Sequence, residues 1–215
     1  MPHNPTSLNI AVFASGAGSN FHSILNYFKD HCNVRVVTLV SNNSKCGAVQ
    51  IAIDNGISFF HYSKYAFSGK CSNIALKLIE YLKHKDVSMI VLAGYMKLLE
   101  PEVIRNYSNR IVNVHPALLP AFGGKGMYGD IVQKAVIDSG VKISGVTVHL
   151  VNENYDEGQI IFQKHFAVEY SDTIETLSQK VKAIEHKYYP KVIEQIALGN
   201  IHKIDDRIFL KNKIE

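Results

Sequence analysis

The chain has 215 residues, 47% of them hydrophobic and 20% charged, with a formal net charge of +4. That length and apolar content suit one substantial core and exclude a disordered chain. A small charge spread along the chain without a Lys/Arg block argues against a nucleic-acid partner, while it suits small anionic ligands.

Three cysteines, Cys32, Cys46 and Cys71, form no Cys-x-x-Cys and read as free thiols of a reducing compartment. The stretch from Met1 to Ser7 is polar, is expected to be a disordered tail and lacks the apolar run of a signal peptide. The longest apolar runs, such as Ile10–Ala14 and Met89–Ala93, are too short to cross a bilayer. A cytoplasmic protein without membrane or nucleic-acid partners is the expectation.

In chain order, the continuous apolar run Leu8–Ala14 predicts a strand buried on both faces of a parallel sheet. A glycine-rich turn follows, and Phe21, Ile24, Leu25 and Phe28 then recur at helical spacing. Val34–Val40 reads as a second strand, Ala48–Ile53 as a short helix and Ile57–Tyr62 as a third strand. Asn73–Leu82 reads as an amphipathic helix and Val87–Ala93 as a fourth strand ending at Gly94. This alternation predicts a doubly wound, mostly parallel α/β sheet in the N-terminal half. Ile143–Val151 and Gln159–Val168 alternate more loosely, as expected of longer, partly antiparallel strands. A long helix from about Thr173 to Leu198 closes the chain, with Pro190 expected to kink or divide it.

The most informative stretch is Arg110-Ile-Val-Asn-Val-His-Pro-Ala-Leu-Leu-Pro120. It is a short apolar strand stopped by a proline, and Asn113 and His115 stand two residues apart just before the stop. Side chains at i and i+2 of a strand share a face, so an amide and an imidazole sit side by side at a strand end, where open α/β sheets bind ligands. Upstream, Ser15-Gly16-Ala17-Gly18-Ser19-Asn20 joins the first strand to the first helix, a site for a phosphate. The third glycine of a dinucleotide loop is missing, because Phe21 stands in its place, so a phosphate monoester suits the loop better than NAD. After the fourth strand, Leu92-Ala-Gly-Tyr-Met-Lys-Leu-Leu99 can line a slot for a flat heterocycle.

Downstream, Asp156 lies in the loop segment Tyr155-Asp-Glu-Gly158. Folded back over His115, its carboxylate would orient the imidazole and raise its pKa. Gly123-Gly-Lys-Gly-Met-Tyr-Gly129 lacks Walker spacing and reads as a flexible loop able to close over a substrate, not as an ATP site. The ten histidines include no His-Glu-x-x-His or Cys/His cluster, so no metal is expected.

These segments occur in the order phosphate loop, Leu-Ala-Gly-Tyr-Met, Asn-Val-His-Pro-Ala-Leu-Leu-Pro, Thr-Val-His-Leu-Val, Tyr-Asp-Glu-Gly. That order, from Leu8 to about Lys203, closely resembles the phosphoribosylglycinamide formyltransferase family, folate-dependent enzymes of purine biosynthesis. The resemblance implies a catalytic trio of Asn113, His115 and Asp156. It implies Gly18, Ser19, Asn20 and Glu185 as residues for the ribonucleotide. Lys70, Met96, Lys97, Leu98 and Leu99, with Asn113, are implied for 10-formyltetrahydrofolate as co-substrate. The family often has arginine at Lys97, and Lys70 replaces another; lysine keeps the charge without the bidentate fork. The stretch Gly123–Gly129 departs from the family's histidine-containing version, and no substrate contact is carried over to it.

The expected organisation is one domain from residue 8 to 215, with a phosphate-binding half at about 8–100 and a folate and catalytic half at about 101–215. A monomer or homodimer is expected. The alternative functions are a 10-formyltetrahydrofolate hydrolase and a non-catalytic phosphate-binding module. The first family usually carries an additional N-terminal domain, and the second leaves Asn113, His115 and Asp156 unexplained. A formyltransferase acting on tRNA would be expected to add a C-terminal RNA-binding domain and a more basic surface.

Overall fold

The computed structural model describes residues 7–63, 73–205 and 207–214. Lys70, Cys71 and residues 1–6 of the expected tail lie outside the described residues. In chain order the elements are β1 (Leu8–Phe13), α1 (Ser19–Phe28), β2 (Val34–Ser41), α2 (Gly47–Asp54), β3 (Ser58–His61), α3 (Ile74–His84), β4 (Met89–Leu92) and α4 (Pro101–Asn106). There follow β5 (Ile111–His115), α5 (Asp130–Ser139), β6 (Ile143–Leu150), β7 (Ile160–Ala167), α6 (Ile174–Ala197), β8 (Ile201–Ile204) and β9 (Arg207–Leu210). Hydrogen bonding orders the main sheet β3-β2-β1-β4-β5-β6-β7, and β8 and β9 form a separate hairpin. Packing divides the chain into two compact units, one running to Val112 and the other starting at Asn113.

In the first unit β1 pairs in parallel with both β2 and β4, and β2 pairs in parallel with β3. Ile10, Ala11, Val12 and Phe13 are wholly buried, because helices on both sides of a parallel sheet leave its central strand no wet face. The helix α1 buries Phe21, Ile24 and Phe28, the stripe that its spacing announces. From β1 the chain winds outward through β2 to β3, then returns to lay β4 on the other side of β1. That reversal is a topological switch point, and the loops leaving the carboxyl ends of β1 and β4 flank it. Those loops are Ala14–Gly18 and Ala93–Glu100.

In the second unit β6 and β7 are eight-residue strands paired antiparallel, as their partly alternating sequences suggest; burial alternates along β7, whereas six consecutive residues of β6 are buried. The helix α6 packs against both and buries Leu177, Val181, Tyr188, Tyr189, Val192 and Ile193. A reciprocal Thr173–Thr176 capping box starts it. Pro190 does not divide this helix, which runs unbroken to Ala197. The proline is itself buried on the packed face of the helix, and such burial offsets a lost hydrogen bond.

Two helices and the terminal hairpin escape the periodicity reading. The helix α4 is only six residues long and is recognisable chiefly by Pro101 at its first position. In α5 the buried stripe of Val132 and Val136 is interrupted by a buried glutamine, Gln133. The strand β8 is exposed throughout, so its composition gives no burial signal.

One glycine sets whether the β6–β7 connection can close. A Cβ at Gly158 would lie 1.7 Å from the Leu150 carbonyl oxygen, inside any tolerable contact. Gly158→Ala is therefore expected to destabilise the fold by roughly 3–5 kcal/mol or to prevent folding, read from chemical denaturation of the soluble protein.

Candidate active site

The strand β5 brings Asn113 and His115 onto one face of the second unit, as the i, i+2 spacing requires. The strand β6 presents Thr147 and His149 by the same alternation. Beside His149 the β6–β7 register shifts, with Ile161 of β7 left without a cross-strand partner, an irregularity of a kind common next to sites. Asn113 Nδ2 lies 3.1 Å from His149 Nε2, so two neighbouring strands are joined by their polar side chains.

Asp156 completes the cluster from the loop after β6. Its backbone adopts φ 57°, a left-handed conformation that aspartate tolerates better than most residues. The carboxylate points inward, with its side chain only 12% exposed. Oδ2 is 3.5 Å from His115 Nδ1, and Oδ1 is 3.7 Å from His149 Nε2. Oδ2 also accepts the Gly124 N–H at 2.9 Å. The trio that the sequence suggests is thus brought together, and His149 joins it as a fourth member.

Main-chain carbonyls fix where the ring protons sit. His149 Nδ1 is 2.7 Å from the Leu150 carbonyl, which can only accept, so Nδ1 carries a hydrogen. In the neutral ring Nε2 then accepts from the Asn113 amide, and one of the two Asn113 amide hydrogens is used in this way. His115 Nε2 likewise donates to the Phe122 carbonyl at 2.9 Å, leaving Nδ1 turned towards Asp156. Phe122 holds that carbonyl in place from a left-handed φ of 57°.

Burial pushes the His115 imidazole below its ordinary value, and the Asp156 charge and the Phe122 hydrogen bond only partly offset this. The sequence reading expected the carboxylate to raise it; desolvation outweighs the carboxylate because His115 is 2% exposed. His149 is lowered for the same leading reason, with Leu150 and Asp156 opposing and His115 adding to the fall.

The turn from Pro116 to Gly124 wraps this cluster. Gly123 has no space for a side chain, since a Cβ there would lie 2.6 Å from Leu119 Cδ2 and 3.2 Å from Asp156 Cβ. The loop Gly123–Gly129 is therefore anchored to Asp156 at its start, while Tyr128 near its end is 49% exposed.

The phosphate-loop candidates lie in the first unit. Gly18 caps α1 at φ 84°, and a Cβ there would strike the α2 backbone at Ala48, 2.7 Å away. No side chain caps α1, an arrangement in which first-turn amides can receive an anion. Ser15 ties this loop to the segment after β4: its Oγ donates to Asn42 Oδ1 at 2.6 Å and accepts the Met96 N–H at 3.1 Å. Met96, Lys97 and Leu98 are exposed on that segment, whereas Leu99 is buried in the core. Glu185 lies on α6 in the second unit and is also buried.

Sequence reasoning missed His149. The signal was present as Thr147-Val-His149, the same polar-apolar-polar alternation as Asn113-Val-His115 on β5. It missed the carbonyls of Phe122 and Leu150 altogether, because main-chain groups leave no trace in composition.

Both lowered histidines predict a pH effect on stability. Below the ordinary value of 6.5 the unfolded chain takes up protons that the folded rings refuse, so stability is full above that value and is lost as pH falls below it. Each ring contributes at most about 1.4 kcal/mol per pH unit. Urea unfolding midpoints at pH 7.5 and 5.5 should show the loss, and His149→Gln should reduce it.

Comparison with known proteins agrees with this geometry. Residues 8–193 match the family model described as "Formyl transferase". The chain is 41% identical over 213 residues to the chloroplastic phosphoribosylglycinamide formyltransferase of Arabidopsis thaliana, covering 98% of this chain and 73% of that one. It is 38% identical to the phosphoribosylglycinamide formyltransferase of Bacillus subtilis, covering 86% of this chain and 93% of that one. The crystal structure of glycinamide ribonucleotide transformylase 1 from Symbiobacterium toebii superposes with a TM-score of 0.86 at 32% identity, covering 95% of this chain and 94% of that one. With the sheet, the strand-end amide and imidazole and the inward carboxylate all in place, the chain belongs to the formyl transferase family, among the phosphoribosylglycinamide formyltransferases.

Proposed function

We propose that this chain transfers the formyl group of 10-formyltetrahydrofolate to the primary amine of 5'-phosphoribosylglycinamide, a step of purine biosynthesis. The observation that carries the reading is the convergence of Asn113, His115 and Asp156 in a nearly dry cluster of a formyl transferase chain.

In this reading the amine nitrogen attacks the formyl carbon, forming a new N–C bond and a tetrahedral oxyanion. Collapse breaks the bond from that carbon to N10. The amine loses one proton and N10 gains one, so the reaction balances without an external acid or base. The Asn113 amide has a hydrogen beyond the one given to His149, and this is the donor for the oxyanion. As charge grows on that oxygen it becomes a stronger acceptor than the Phe122 carbonyl, and the His115 Nε2–H turns to it. Donors of this kind are worth about 10²- to 10³-fold in turnover.

Asp156 faces His115 Nδ1, so proton uptake there makes an imidazolium against a carboxylate, and the pair can pass the amine proton on. Such relays contribute about 10²- to 10⁴-fold. The amine is itself the nucleophile, so no covalent enzyme intermediate enters. Holding both substrates together supplies the orientation term.

For binding, Gly18, Ser19 and Asn20 at the start of α1 suit the ribonucleotide phosphate, with Glu185 on α6 assigned to the same substrate. Met96 and Leu98 offer exposed apolar surface for the pterin, with the buried Leu99 and the exposed Lys97 on the same segment. Lys70, assigned to the folate by the resemblance, lies outside the described residues. Asn113 serves folate and oxyanion together.

Folate product followed in the ultraviolet, with and without phosphoribosylglycinamide, tests the reading. Release that depends on the ribonucleotide, with formylated product recovered, is the expected result; release without an acceptor would instead identify a hydrolase. Asp156→Asn is expected to lose about 10²- to 10⁴-fold in kcat while calorimetry still detects both ligands binding. Near-normal turnover in that variant would remove Asp156 from the mechanism.

A further inference from the structure

Two main-chain groups of the turn after β5 touch the cluster: the Phe122 carbonyl on His115 and the Gly124 N–H on Asp156. The turn has one hydrogen bond of its own at this point, Ala121 N–H to the Leu118 carbonyl at 3.1 Å. Side chains from neighbouring elements must therefore supply the rest of its definition.

Three do so. Gln133 on α5 donates to the Pro116 carbonyl at 3.0 Å. Thr147, fully buried on β6, donates its hydroxyl hydrogen to the Ala117 carbonyl at 2.7 Å and accepts the Leu119 N–H at 3.0 Å. Gln163 on β7 donates from Nε2 to the Leu119 carbonyl at 2.9 Å and to Thr147 Oγ1 at 3.0 Å. Thr147 thus has one hydrogen and two lone pairs, all engaged, and both hydrogens of the Gln163 amide are spent.

We infer that Gln163 is a positioning residue for the transfer reaction, holding the turn at Leu119 and thereby setting the Phe122 carbonyl and the Gly124 amide against His115 and Asp156. The inference rests on the reading above, in which His115 and Asp156 carry the transfer. Leu119 lies three residues before Phe122, and its side chain closes the space beside Gly123 and Asp156, so a shift at Leu119 is passed directly to both contacts.

The chemistry of the position is specific. The Leu119 carbonyl can only accept, and the Thr147 hydroxyl hydrogen is committed to Ala117, so both partners ask Gln163 for a donor. A primary amide offers two hydrogens at this length. Glutamate, of the same size, offers only acceptors at neutral pH, and leucine offers nothing. Lysine has three donors on a stem long enough to reach. Gln163 is an exposed residue, so water can reach the Leu119 carbonyl when the amide is lost. Folding then survives, while the geometry at the reacting atoms does not, and misplacement of about 1 Å can cost 10²-fold.

The test compares Gln163→Leu, Gln163→Glu and Gln163→Lys with the parent chain and with Asp156→Asn, measuring kcat, both KM values and thermal midpoints. Gln163→Leu is expected to lower kcat about 10- to 100-fold with the ribonucleotide KM changed by no more than a few-fold. Gln163→Glu should lose at least as much, and Gln163→Lys should recover most of the rate. Unchanged kcat in the Leu and Glu variants, or a Lys variant as poor as Glu, overturns the inference. If Gln163→Leu does not fold, the Glu and Lys variants decide it alone. A normal Gln163→Leu beside an inactive Asp156→Asn refutes only the role of Gln163; an active Asp156→Asn refutes the assignment of the trio and this inference with it.

Discussion

A carboxylate held away from water is the constraint on which the second unit turns. A buried charge is costly unless hydrogen bonds and opposite or polar partners surround it. Asp156 meets this demand with the Gly124 N–H, while His115 Nδ1 and His149 Nε2 face its two oxygens as unprotonated nitrogens that become donors on taking up a proton. Meeting it dictates much of the local backbone: the left-handed Asp156, a residue without a side chain at Gly123 and the close approach of Gly158 to Leu150. Together they hold the Asp156 carboxylate beside two imidazole rings.

Around that charge the two histidines do different work although they share a cause for their lowered pKa. His149 is locked by the Leu150 carbonyl into the tautomer that accepts from Asn113, so it orients the amide. His115 is locked by Phe122 into the opposite tautomer, so its second nitrogen faces Asp156. Desolvation keeps both rings neutral at rest. In the proposed transfer the amine proton goes to His115 Nδ1, beside the Asp156 carboxylate, an electrostatic preorganisation of a kind effective in a site with little water.

The first unit follows another rule. Its parallel strands reverse direction of winding at β1, and the loops after β1 and β4 flank that point. Ser15 links the two loops through a side-chain oxygen that both donates and accepts. Gly18 lets α1 start against α2, which leaves the first turn of α1 without a capping side chain. The exposed Met96 and Leu98 and the buried Leu99 then divide the second loop into a surface and its support.

Much of this was legible in the chain itself. The apolar run at Leu8–Phe13, the stripe of α1 and the alternation of β7 each state their element, because burial on two faces, one stripe or one face leaves a periodic trace. Asn113 and His115 were legible as a pair, since strand geometry alone puts i and i+2 on one side. What tertiary structure decided was long-range. Asp156 lies 41 positions after His115 in the sequence, and only the closing of the β6–β7 loop brings it inward. The net fall in the His115 pKa, the tautomers set by Phe122 and Leu150, and the reach of Gln163 to Leu119 depend on burial and on main-chain groups. Main-chain carbonyls and amides are the same in every residue, so a sequence cannot say which of them a fold will aim at a side chain.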